Sequence, residues 1–340
     1  MMKKVSLQDI SQSLNISKGT ISLVLNGRGD EKRVSKKTQE KIIKFAQKHN
    51  YKANQLARGL SMGKSDMIGL IVPNISDSFY ARIARRIERK ARLHGYNVVF
   101  SSAGESKDRE SELIQSMLDR QVDGLIIASS QKNENDIKRL KRNKFPFVLI
   151  DRHYPNIKTN YVGVDNIGGI SAAVEQLITL GRRRIGFVTL KPGLEAIHER
   201  ALGYTQTMEK HGLSIEEGFI KELDYENIEV EISNAIKTMV SSPTSIEGIV
   251  FATHYLTAAG LRELKKLKIR VPYDVAIISF AQMSAFDLIE PPITSVIQPV
   301  DELGDKAVDI LLKNLRKEVK DYERFKLKTE LVIRKSCGAQ

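Results

Sequence analysis

The sequence lacks the features on which secreted, membrane-spanning and metal-dependent proteins commonly rely. Cys337 is its one cysteine among 340 residues, which excludes an internal disulfide bond and a metal site built on cysteines. No apolar run approaches the roughly 20 residues that a membrane-spanning helix needs. The polar stretch after the N-terminal MMKK has no apolar core of a signal peptide. We therefore expect a cytoplasmic protein that does not contact a membrane.

Motifs of the common α/β enzymes are also missing. The glycines do not form G-x-G-x-x-G, G-x-x-x-x-G-K-[ST] or G-x-S-x-G, and the six histidines include no H-x-x-x-H pair. These patterns bind dinucleotides, hold phosphates, carry a nucleophilic serine or ligate a metal. Because no nucleophile–base arrangement replaces them, we expect a protein that is not an enzyme and that uses neither a metal nor a cofactor.

Positive charge is concentrated at one end of the sequence. Residues 1–66 hold 14 Lys and Arg against 5 Asp and Glu, whereas the other 274 residues hold 40 against 36. A solvated basic face would give the same count. A basic segment joined to a nearly balanced remainder is, however, typical of a protein that binds a polyanion such as DNA.

Two short amphipathic segments in this basic region predict a helix-turn-helix. Ser6 and Asp9 have the spacing of a capping box, and apolar residues then recur at helical spacing over 7–14. Asn15 suits a sharp turn, and Ser17 can cap a second helix that ends at Asn26-Gly27. An ordinary helical hairpin inside a larger core is the alternative. The basic charge favours a DNA-binding helix pair, whose second helix would present its first residues to the major groove.

A third helix and a linker follow in the sequence. Ser35 opens the third helix, for which we predict a buried face of Ile42, Ile43, Phe45 and Ala46. Asn54 can cap a two-turn segment that reaches Leu60, which is too short to be stable alone in water. We expect this segment to become ordered against DNA or against a second copy of the chain; a flexible tether is the alternative.

From Ile68 onward, apolar runs of strand length alternate with helical stretches. The first series of runs is 68–72, 97–101, 124–128 and 146–150, and the second is 161–164, 185–188, 248–252 and 276–280, with a last strand at 331–334. The alternation predicts two successive open α/β units with parallel sheets. Ligands of such sheets bind beyond the carboxyl ends of the strands, in the cleft between the units.

Several segments together resemble the lactose-repressor/galactose-repressor family of bacterial transcription regulators. They are VSLQDISQSLNISKGTISLVLNG, NQLARGL, IGLIVPNISDSFY, RQVDGLIIA, VGVDNIGG, LGRRRIGFV, ERALGY, VPYDVAIISF and PPITSVIQPVDELG, in the order of the family and over essentially the whole chain. The resemblance implies an N-terminal helix-turn-helix, a hinge helix and a periplasmic-binding-protein-like core. It further implies a homodimeric repressor that binds a pseudo-palindromic operator and responds to an effector.

The expected domains follow from this resemblance. They are a DNA-binding domain at 1–52, a hinge helix and linker at 53–66, and an effector-binding and dimerisation core at 67–335. We expect the N-subdomain of the core to comprise about 67–160 and 292–322. The C-subdomain would then comprise about 161–291 and 323–335.

The resemblance also implies which residues contact DNA. Base contacts fall on Lys18, Gly19 and Leu23, where leucine replaces an arginine that is common in the family and makes no hydrogen bond. We therefore expect sparse direct readout, with more of the specificity coming from DNA shape. Phosphate contacts fall on Ser6, Ser17, Thr20, Ser22 and Asn26, and hinge contacts on Asn54, Ala57 and Leu60. Leu60 matches a leucine that wedges into the minor groove.

The positions that match the effector pocket of the family are Phe79, Tyr80, Ser130, Asp151, Arg200, His254, Tyr255 and Gln282. Sugar-responsive members often have an Asn-Asp pair where this chain has His254-Tyr255, and another Asp where it has Ala281. Neither tyrosine nor alanine can replace a carboxylate as an acceptor for paired hydroxyls. The expected effector is a sugar, a sugar phosphate or another anionic metabolite, since Arg200 can hold a carboxylate or a phosphate.

Several alternatives remain open at this point, and one of them is a cleft that no longer binds any small molecule tightly. Arg200 could instead form a structural salt bridge beside Glu199, and Phe79 and Tyr80 could pack a helix start. A phosphoprotein corepressor could control the regulator in place of a small ligand. A solute-binding protein or an α/β enzyme with the same core is a more distant alternative.

Overall fold

The computed structural model describes residues 5–49, 51, 64–191, 193–241, 245–318 and 321–339. Its internal contacts divide the chain into two units, Met1–Asp66 and Met67–Gln340. This division falls where the predicted linker ends. The first unit is helical, and the second contains two α/β subdomains.

The first unit contains α1 (Leu7–Leu14), α2 (Lys18–Leu25) and α3 (Lys36–Lys48). Its small core consists of the buried side chains of Ile10, Ile21, Val24 and Ile42. Because each helix buries one apolar stripe, the three helices cover one another with few buried residues. The predicted three-helix arrangement is therefore confirmed.

One residue of the predicted buried face of α3 lies at the surface. Ile42 and Ala46 are buried as expected, but Ile43 is 40% exposed. Adjacent helical residues point about 100° apart, so a single apolar stripe cannot bury both isoleucines. The prediction for Ile43 is wrong for this reason.

The first sheet of the second unit consists of six parallel strands. They are β1 (Met67–Val72), β2 (Asn97–Ser102), β3 (Gly124–Ile127), β4 (Phe147–Ile150), β5 (Tyr161–Val164) and β11 (Arg324–Leu327), in the order β11-β5-β4-β3-β1-β2. The central strands are buried along their whole length, which explains why they appear in the sequence as continuous aliphatic runs.

Helices cover both faces of this sheet. They are α4 (Ser78–Leu93), α5 (Lys107–Asp119), α6 (Glu134–Arg142) and α11 (Val300–Leu315). α4 and α11 pack against each other on one face, where Lys90 Nζ lies 3.0 Å from Asp309 Oδ1. α5 and α6 share a second hydrophobic cluster with the opposite side of the strands.

The second sheet repeats this design. Its strands are β6 (Ile185–Leu190), β7 (Ile220–Leu223), β8 (Gly248–Phe251), β9 (Ala276–Phe280), β10 (Thr294–Ile297) and β12 (Glu330–Val332), in the order β12-β10-β9-β8-β6-β7. β12 pairs with β10 in the antiparallel direction, and the other pairs are parallel. The helices of this subdomain are α7 (Asn166–Thr179), α8 (Glu195–Lys210), α9 (Ile228–Ser241) and α10 (His254–Lys266). The predicted fold of two parallel-sheet subdomains is confirmed.

The positions at which the chain crosses between the two subdomains differ from the predicted ones. Tyr161–Val164 and Arg324–Leu327 pair with each other in the first sheet, whereas Thr294–Ile297 lies in the second. The sequence analysis placed all three segments in the opposite subdomain. Short strands such as these fit either sheet, and their position is set by long-range pairing such as Leu149 with Tyr161, which no local pattern encodes.

None of the described helices has both the length and the apolar character that crossing a membrane requires.

Candidate functional site

The start of α2 is fixed by the turn before it. Asn15 has a φ of 53°, in the left-handed region that Asn tolerates. Ser17 Oγ then accepts a hydrogen bond from Thr20 N at 3.2 Å. At the start of α1, Ser6 and Asp9 form the predicted capping box, with Ser6 N donating to Asp9 Oδ2 at 2.7 Å. Both predicted caps are confirmed.

The side chains predicted to contact bases lie outside the core of this unit. Lys18 and Gly19 in the first turn of α2 are exposed. A Cβ added to Gly19 would meet only Ser17 Oγ, at 3.9 Å, so the surface there is open. Leu23 is half-buried and does not belong to the apolar cluster that α1, α2 and α3 share. The first turn of α2 thus presents the charged side chain of Lys18 next to Gly19, which has no side chain.

The hydroxyl and amide groups predicted to contact phosphates also stabilise the ends of the helices. Ser17 Oγ and Thr20 Oγ1 share a hydrogen bond of 2.8 Å, and Asn26 Nδ2 donates to Ser22 Oγ at 3.2 Å. Ser6 Oγ donates to the Asp9 carboxylate at 2.7 Å. These groups therefore have internal partners in the described structure. The predicted hinge contacts Asn54, Ala57 and Leu60 lie outside the described residues.

In the second unit, side chains from both subdomains line a cavity of about 70 Å³. Six of the eight residues predicted for the effector pocket are among its walls: Phe79, Tyr80, Asp151, Arg200, His254 and Tyr255. Pockets that hold drug-sized ligands have volumes of roughly 300–1,000 Å³. The subdomains are therefore closed on one another, and a ligand of that size would require them to separate.

Asp151 and Tyr80 form a buried pair on the wall contributed by the first sheet. Tyr80 OH donates to Asp151 Oδ2 at 2.7 Å. Burial raises the pKa of Asp151, and the positive charges of Arg152 and Arg200 oppose that increase. Burial also raises the pKa of Tyr80 well above its ordinary value, so Tyr80 is a hydrogen-bond donor at neutral pH.

Arg152 lies beside this pair and is neutralised from the other side. Its Nη1 and Nη2 donate to the two carboxylate oxygens of Glu105 at 2.7 and 2.8 Å. This is the bidentate geometry that makes an arginine–carboxylate pair strong. Arg152 Nε is 3.9 Å from Asp151 Oδ2. Arg152 therefore lines the cavity, but Glu105 already neutralises its positive charge.

Arg200 lies on the opposite wall, on α8. Its Nε donates to Asn166 Oδ1 at 2.9 Å and its Nη1 to the carbonyl oxygen of Ala252 at 3.0 Å, while the guanidinium carbon lies 4.0 Å from the centre of the Phe280 ring. Burial lowers the pKa of Arg200, and the attraction of Asp151 opposes that shift.

The predicted alternative of a salt bridge between Arg200 and Glu199 does not occur. Glu199 Oε1 instead accepts from Lys326 Nζ at 2.6 Å, and Glu199 Oε2 accepts from Asn166 Nδ2 at 2.8 Å. Side chains that are adjacent on a helix diverge, so Glu199 finds partners on β11 and α7.

His254 and Tyr255 begin α10 on the same side as Arg200. His254 Nε2 lies 3.5 Å from Asp77 Oδ1, which belongs to the first subdomain. Burial lowers the pKa of His254, and the charge of Asp77 opposes that shift. Burial raises the pKa of Tyr255 to about 12, and the Tyr225 ring meets the Tyr255 ring edge-on.

Another polar contact joins the two subdomains, between Gln131 and the start of α8. Gln131 Oε1, from the first subdomain, accepts a hydrogen bond from Glu195 N at 3.0 Å, and Gln131 Nε2 donates to the carbonyl oxygen of His153. α8 begins at Glu195, and the side chain of its N-cap residue, Leu194, makes no capping hydrogen bond. The N-cap residue of α8 supplies no side-chain acceptor, and Gln131 of the facing subdomain provides one in its place.

Two residues predicted for the pocket do not line the cavity. Ser130 is buried, with its N donating to Glu110 Oε2 at 2.6 Å and its Oγ accepting from Lys132 N at 3.3 Å. The buried carboxylate of Glu110 therefore holds the chain after β3. Gln282 is half-buried outside the lining, and Gln298 at the end of β10 lines the cavity in the second subdomain. Neither Ser130 nor Gln282 lines the closed cavity, and their role in binding an effector stays a prediction.

The sequence analysis missed several residues of the lining, which are Asp77, Arg152, Leu194, Ala196, Ile197, Thr253 and Gln298. Asp77 and Arg152 each lie within two residues of a predicted pocket residue, so their proximity in sequence was an available signal. Gln298 follows a strand that was not predicted. Among the described residues, no group of three His, Cys, Asp or Glu side chains could hold a metal ion.

Comparison with known families agrees with this architecture. A model described as "Bacterial regulatory proteins, lacI family" matches residues 6–54, and one described as "Periplasmic binding protein-like domain" matches residues 174–337. A helix-turn-helix unit followed by a core of this kind defines a class of DNA-binding regulators. The chain thus has a helix-turn-helix domain of the lacI family of bacterial regulatory proteins followed by a periplasmic binding protein-like domain.

Similar proteins extend over the whole chain. Catabolite control protein A of Priestia megaterium is 29% identical over 98% of this chain and 99% of its own length, and the ribose operon repressor of Halalkalibacterium halodurans is 27% identical over 97% and 96%. A solved complex of the transcriptional regulator CelR with cellobiose is 25% identical, with a TM-score of 0.73 over 98% of this chain and all of that one.

The lac repressor dimer bound to operator and an anti-inducer shares the fold, with a TM-score of 0.87 at 21% identity over 99% of this chain and all of that one. The similar proteins named here are transcription regulators, and the present chain is a regulator and not an enzyme.

Proposed function

We propose that the chain is a cytoplasmic repressor of transcription that binds a pseudo-palindromic operator as a homodimer. A small, carbohydrate-related molecule in the cleft between the subdomains controls its affinity for DNA. A ligand can do so only to the extent that it prefers one arrangement of the subdomains.

The observation that carries this proposal is the exposed first turn of α2 in a basic helical unit. Lys18 is exposed there, next to Gly19, and the predicted phosphate-contacting residues surround the same helix. A lysine at this position can donate to O6 and N7 of guanine, and Leu23 can contact a thymine methyl group. The small number of such groups supports a larger contribution from DNA shape and bending.

The closed cleft supports control by a ligand. Its walls come from both subdomains, and the polar contacts that join the subdomains include those from His254 to Asp77 and from Gln131 to Glu195. A molecule that enters the cleft must change or replace these contacts. It therefore has a physical means of favouring one arrangement over the other.

The test measures operator binding by the purified full-length chain with fluorescence anisotropy at low salt. The probe is a duplex from its own promoter region that contains an inverted repeat with a central CG step, and a scrambled duplex of the same composition is the reference. We expect the wild type to prefer the inverted repeat. Lys18→Ala should weaken that complex by about 1–3 kcal/mol and reduce the preference.

Lys44→Ala is the matched control, because Lys44 is an exposed lysine of the same unit on α3. A lysine that contacts only phosphate changes the affinity for both duplexes about equally. The proposal is contradicted when the wild type ignores the inverted repeat at low salt. The assignment of Lys18 to base contact is contradicted when its variant weakens both duplexes alike.

A further inference from the structure

We propose that the effector is a hydroxylated monocarboxylic acid of the sugar-acid type. Its carboxylate pairs with Arg200 on the wall of the second subdomain, and its hydroxyl groups donate to Asp151 on the wall of the first. This inference rests on the proposed function, because it names the class of molecule that the cleft binds.

Arg200 is a buried cation whose hydrogen bonds are incomplete. The residue is 7% exposed, and its Nε and Nη1 donate to a neutral amide and a neutral carbonyl, Asn166 and Ala252. Within the described part of the chain, neither a hydrogen bond to Nη2 nor a carboxylate within 4.0 Å completes the guanidinium. A buried cation without a counter-ion is costly, and a ligand carboxylate would relieve that cost through a charge-assisted hydrogen bond.

The protein carboxylates near Arg200 are engaged elsewhere. Glu199 is held by Lys326 and Asn166. Asp151 accepts from Tyr80 OH, and Asp77 accepts from Phe79 N while facing His254. Asp151 still attracts Arg200, but among the described residues no carboxylate lies within ion-pair distance of its guanidinium in the closed protein.

The two walls of the cavity contribute groups of opposite charge. The first subdomain contributes the carboxylates of Asp77 and Asp151, and the second contributes the guanidinium of Arg200. Carboxylate oxygens have several acceptor positions, and the Tyr80 hydroxyl occupies one of those on Asp151. The matching ligand carries donor hydroxyls on one side and an anionic group on the other.

The balance of charge favours a monoanion over a phosphate. Glu105 pairs with Arg152 through two hydrogen bonds, so Arg200 is the arginine of the lining that makes no ion pair at contact distance among the described residues. A phosphate monoester carries close to two negative charges at neutral pH. Its second charge would meet Asp77 and Asp151 across a narrow cavity, and like charges there repel.

The test is isothermal titration calorimetry on the full-length protein with matched probes. D-gluconate and D-glucuronate are the carboxylates, D-sorbitol and D-glucose are the neutral counterparts, and D-glucose 6-phosphate is the dianion. We expect at least one carboxylate to bind at least tenfold more tightly than its neutral counterpart and than the phosphate. A neutral sugar or the phosphate as the tightest ligand, or no binding by either carboxylate, overturns the inference.

Variants locate the carboxylate contact. Arg200→Met should abolish the tenfold preference for the acid, and Arg200→Lys should retain part of it because the positive charge remains. Arg92→Met is the control, since Arg92 is exposed on α4 and lies far along the chain from the cavity lining. An unchanged preference in a folded Arg200→Met overturns the assignment. Should that variant fail to fold, the wild-type ranking of the five probes still decides the inference.

Operator binding separates this inference from the proposed function. Release or recruitment of DNA by a neutral sugar alone contradicts the inference and leaves a ligand-controlled repressor in place. Failure of the protein to bind its operator contradicts the proposed function, whereas the calorimetric ranking still tests the carboxylate preference of the cleft.

Discussion

Asp151 has a strained backbone conformation, and its side chain lines the cavity. Its φ of 60° lies in the left-handed region, which non-glycine residues seldom adopt. Asp151 N donates to the Val162 carbonyl oxygen at 2.9 Å, and Tyr161 OH donates to the Asp151 carbonyl oxygen at 3.0 Å. These bonds hold a strained backbone at the edge of a cavity, where such conformations are often found.

His153, two residues further on, should make the folded state sensitive to acid. Burial lowers its pKa to about 4, and Arg324 acts in the same direction, whereas an unfolded histidine has a pKa of about 6.5. Above pH 6.5 the residue is neutral in both states and has no effect. As the pH falls from 6.5 to 4, only the unfolded state gains the proton, so stability decreases, by on the order of 3 kcal/mol in total.

His153→Gln should remove this part of the pH dependence. Between pH 7 and pH 4.5, we expect the free energy of unfolding in urea to fall by about 2 kcal/mol less in the variant than in the wild type. His94→Gln is the control, because His94 is exposed and should keep the wild-type dependence. Equal slopes for wild type and His153→Gln would contradict the prediction.

At the residue scale, the sequence predicts which residues follow a strand at the carboxyl edge of a sheet. It does not predict which residues they contact in the folded chain. Tyr80 and Asp151 follow strands at the carboxyl edge of one sheet, and both line the cavity. Ser130 also follows a strand, but Glu110 holds it away from the lining. That hydrogen bond joins residues 20 positions apart, and no local pattern specifies it.

At the scale of elements, α8 depends on a residue outside its own subdomain. Gln131 Oε1 accepts from Glu195 N, the first residue of the helix. Loss of an N-cap acceptor costs about 0.5–2 kcal/mol. Because Gln131 belongs to the facing subdomain, this energy stabilises the closed arrangement as well as the helix.

Gln131→Ala should therefore destabilise the core by about 0.5–2 kcal/mol in urea unfolding. Gln131→Glu is a matched variant, because it keeps an acceptor for Glu195 N and places a negative charge at the positive end of the helix. We expect it to recover at least half of the loss. Equal destabilisation by both substitutions would show that the bond to the His153 carbonyl oxygen, and not the cap, is responsible.

Among the elements, strong local signals were sufficient for the helix starts and the buried strands. The caps at Ser6, Ser17 and Ser35 and the aliphatic run at 124–127 occur where the sequence predicts them. α11 was also predictable, since Leu303, Ala307 and Leu311 have helical spacing. β11 was not, because Arg324–Leu327 alternates charged and apolar residues and lacks an aliphatic run.

At the scale of the whole molecule, the uneven charge makes a prediction about salt. With 14 basic and 5 acidic residues in 1–66, operator binding should release counterions from DNA. The logarithm of the affinity should fall linearly with the logarithm of the salt concentration. For about 6–10 phosphate contacts by a dimer, the affinity should decrease by roughly 10³–10⁵ between 50 and 200 mM salt.

Lys64→Ala and Lys221→Ala provide a comparison for this measurement, since both lysines are at least partly exposed and only the first lies in the basic segment. Lys221→Ala should leave the salt slope unchanged. An affinity of the wild type that does not vary with salt would contradict the electrostatic basis of DNA binding.

The segment 324–332 contributes one strand to each sheet, and this has a consequence for the nascent chain. β11 and β12 occupy outer positions of the two sheets, next to β5 and β10, and they follow the other described strands in the sequence. Until they emerge, β5 and β10 each present an uncovered row of peptide groups, the kind of edge that recruits foreign strands. The first sheet is therefore incomplete until residues 324–327 have been synthesised, and the second until residues 330–332 have been, so nascent chains are open to misassembly until then.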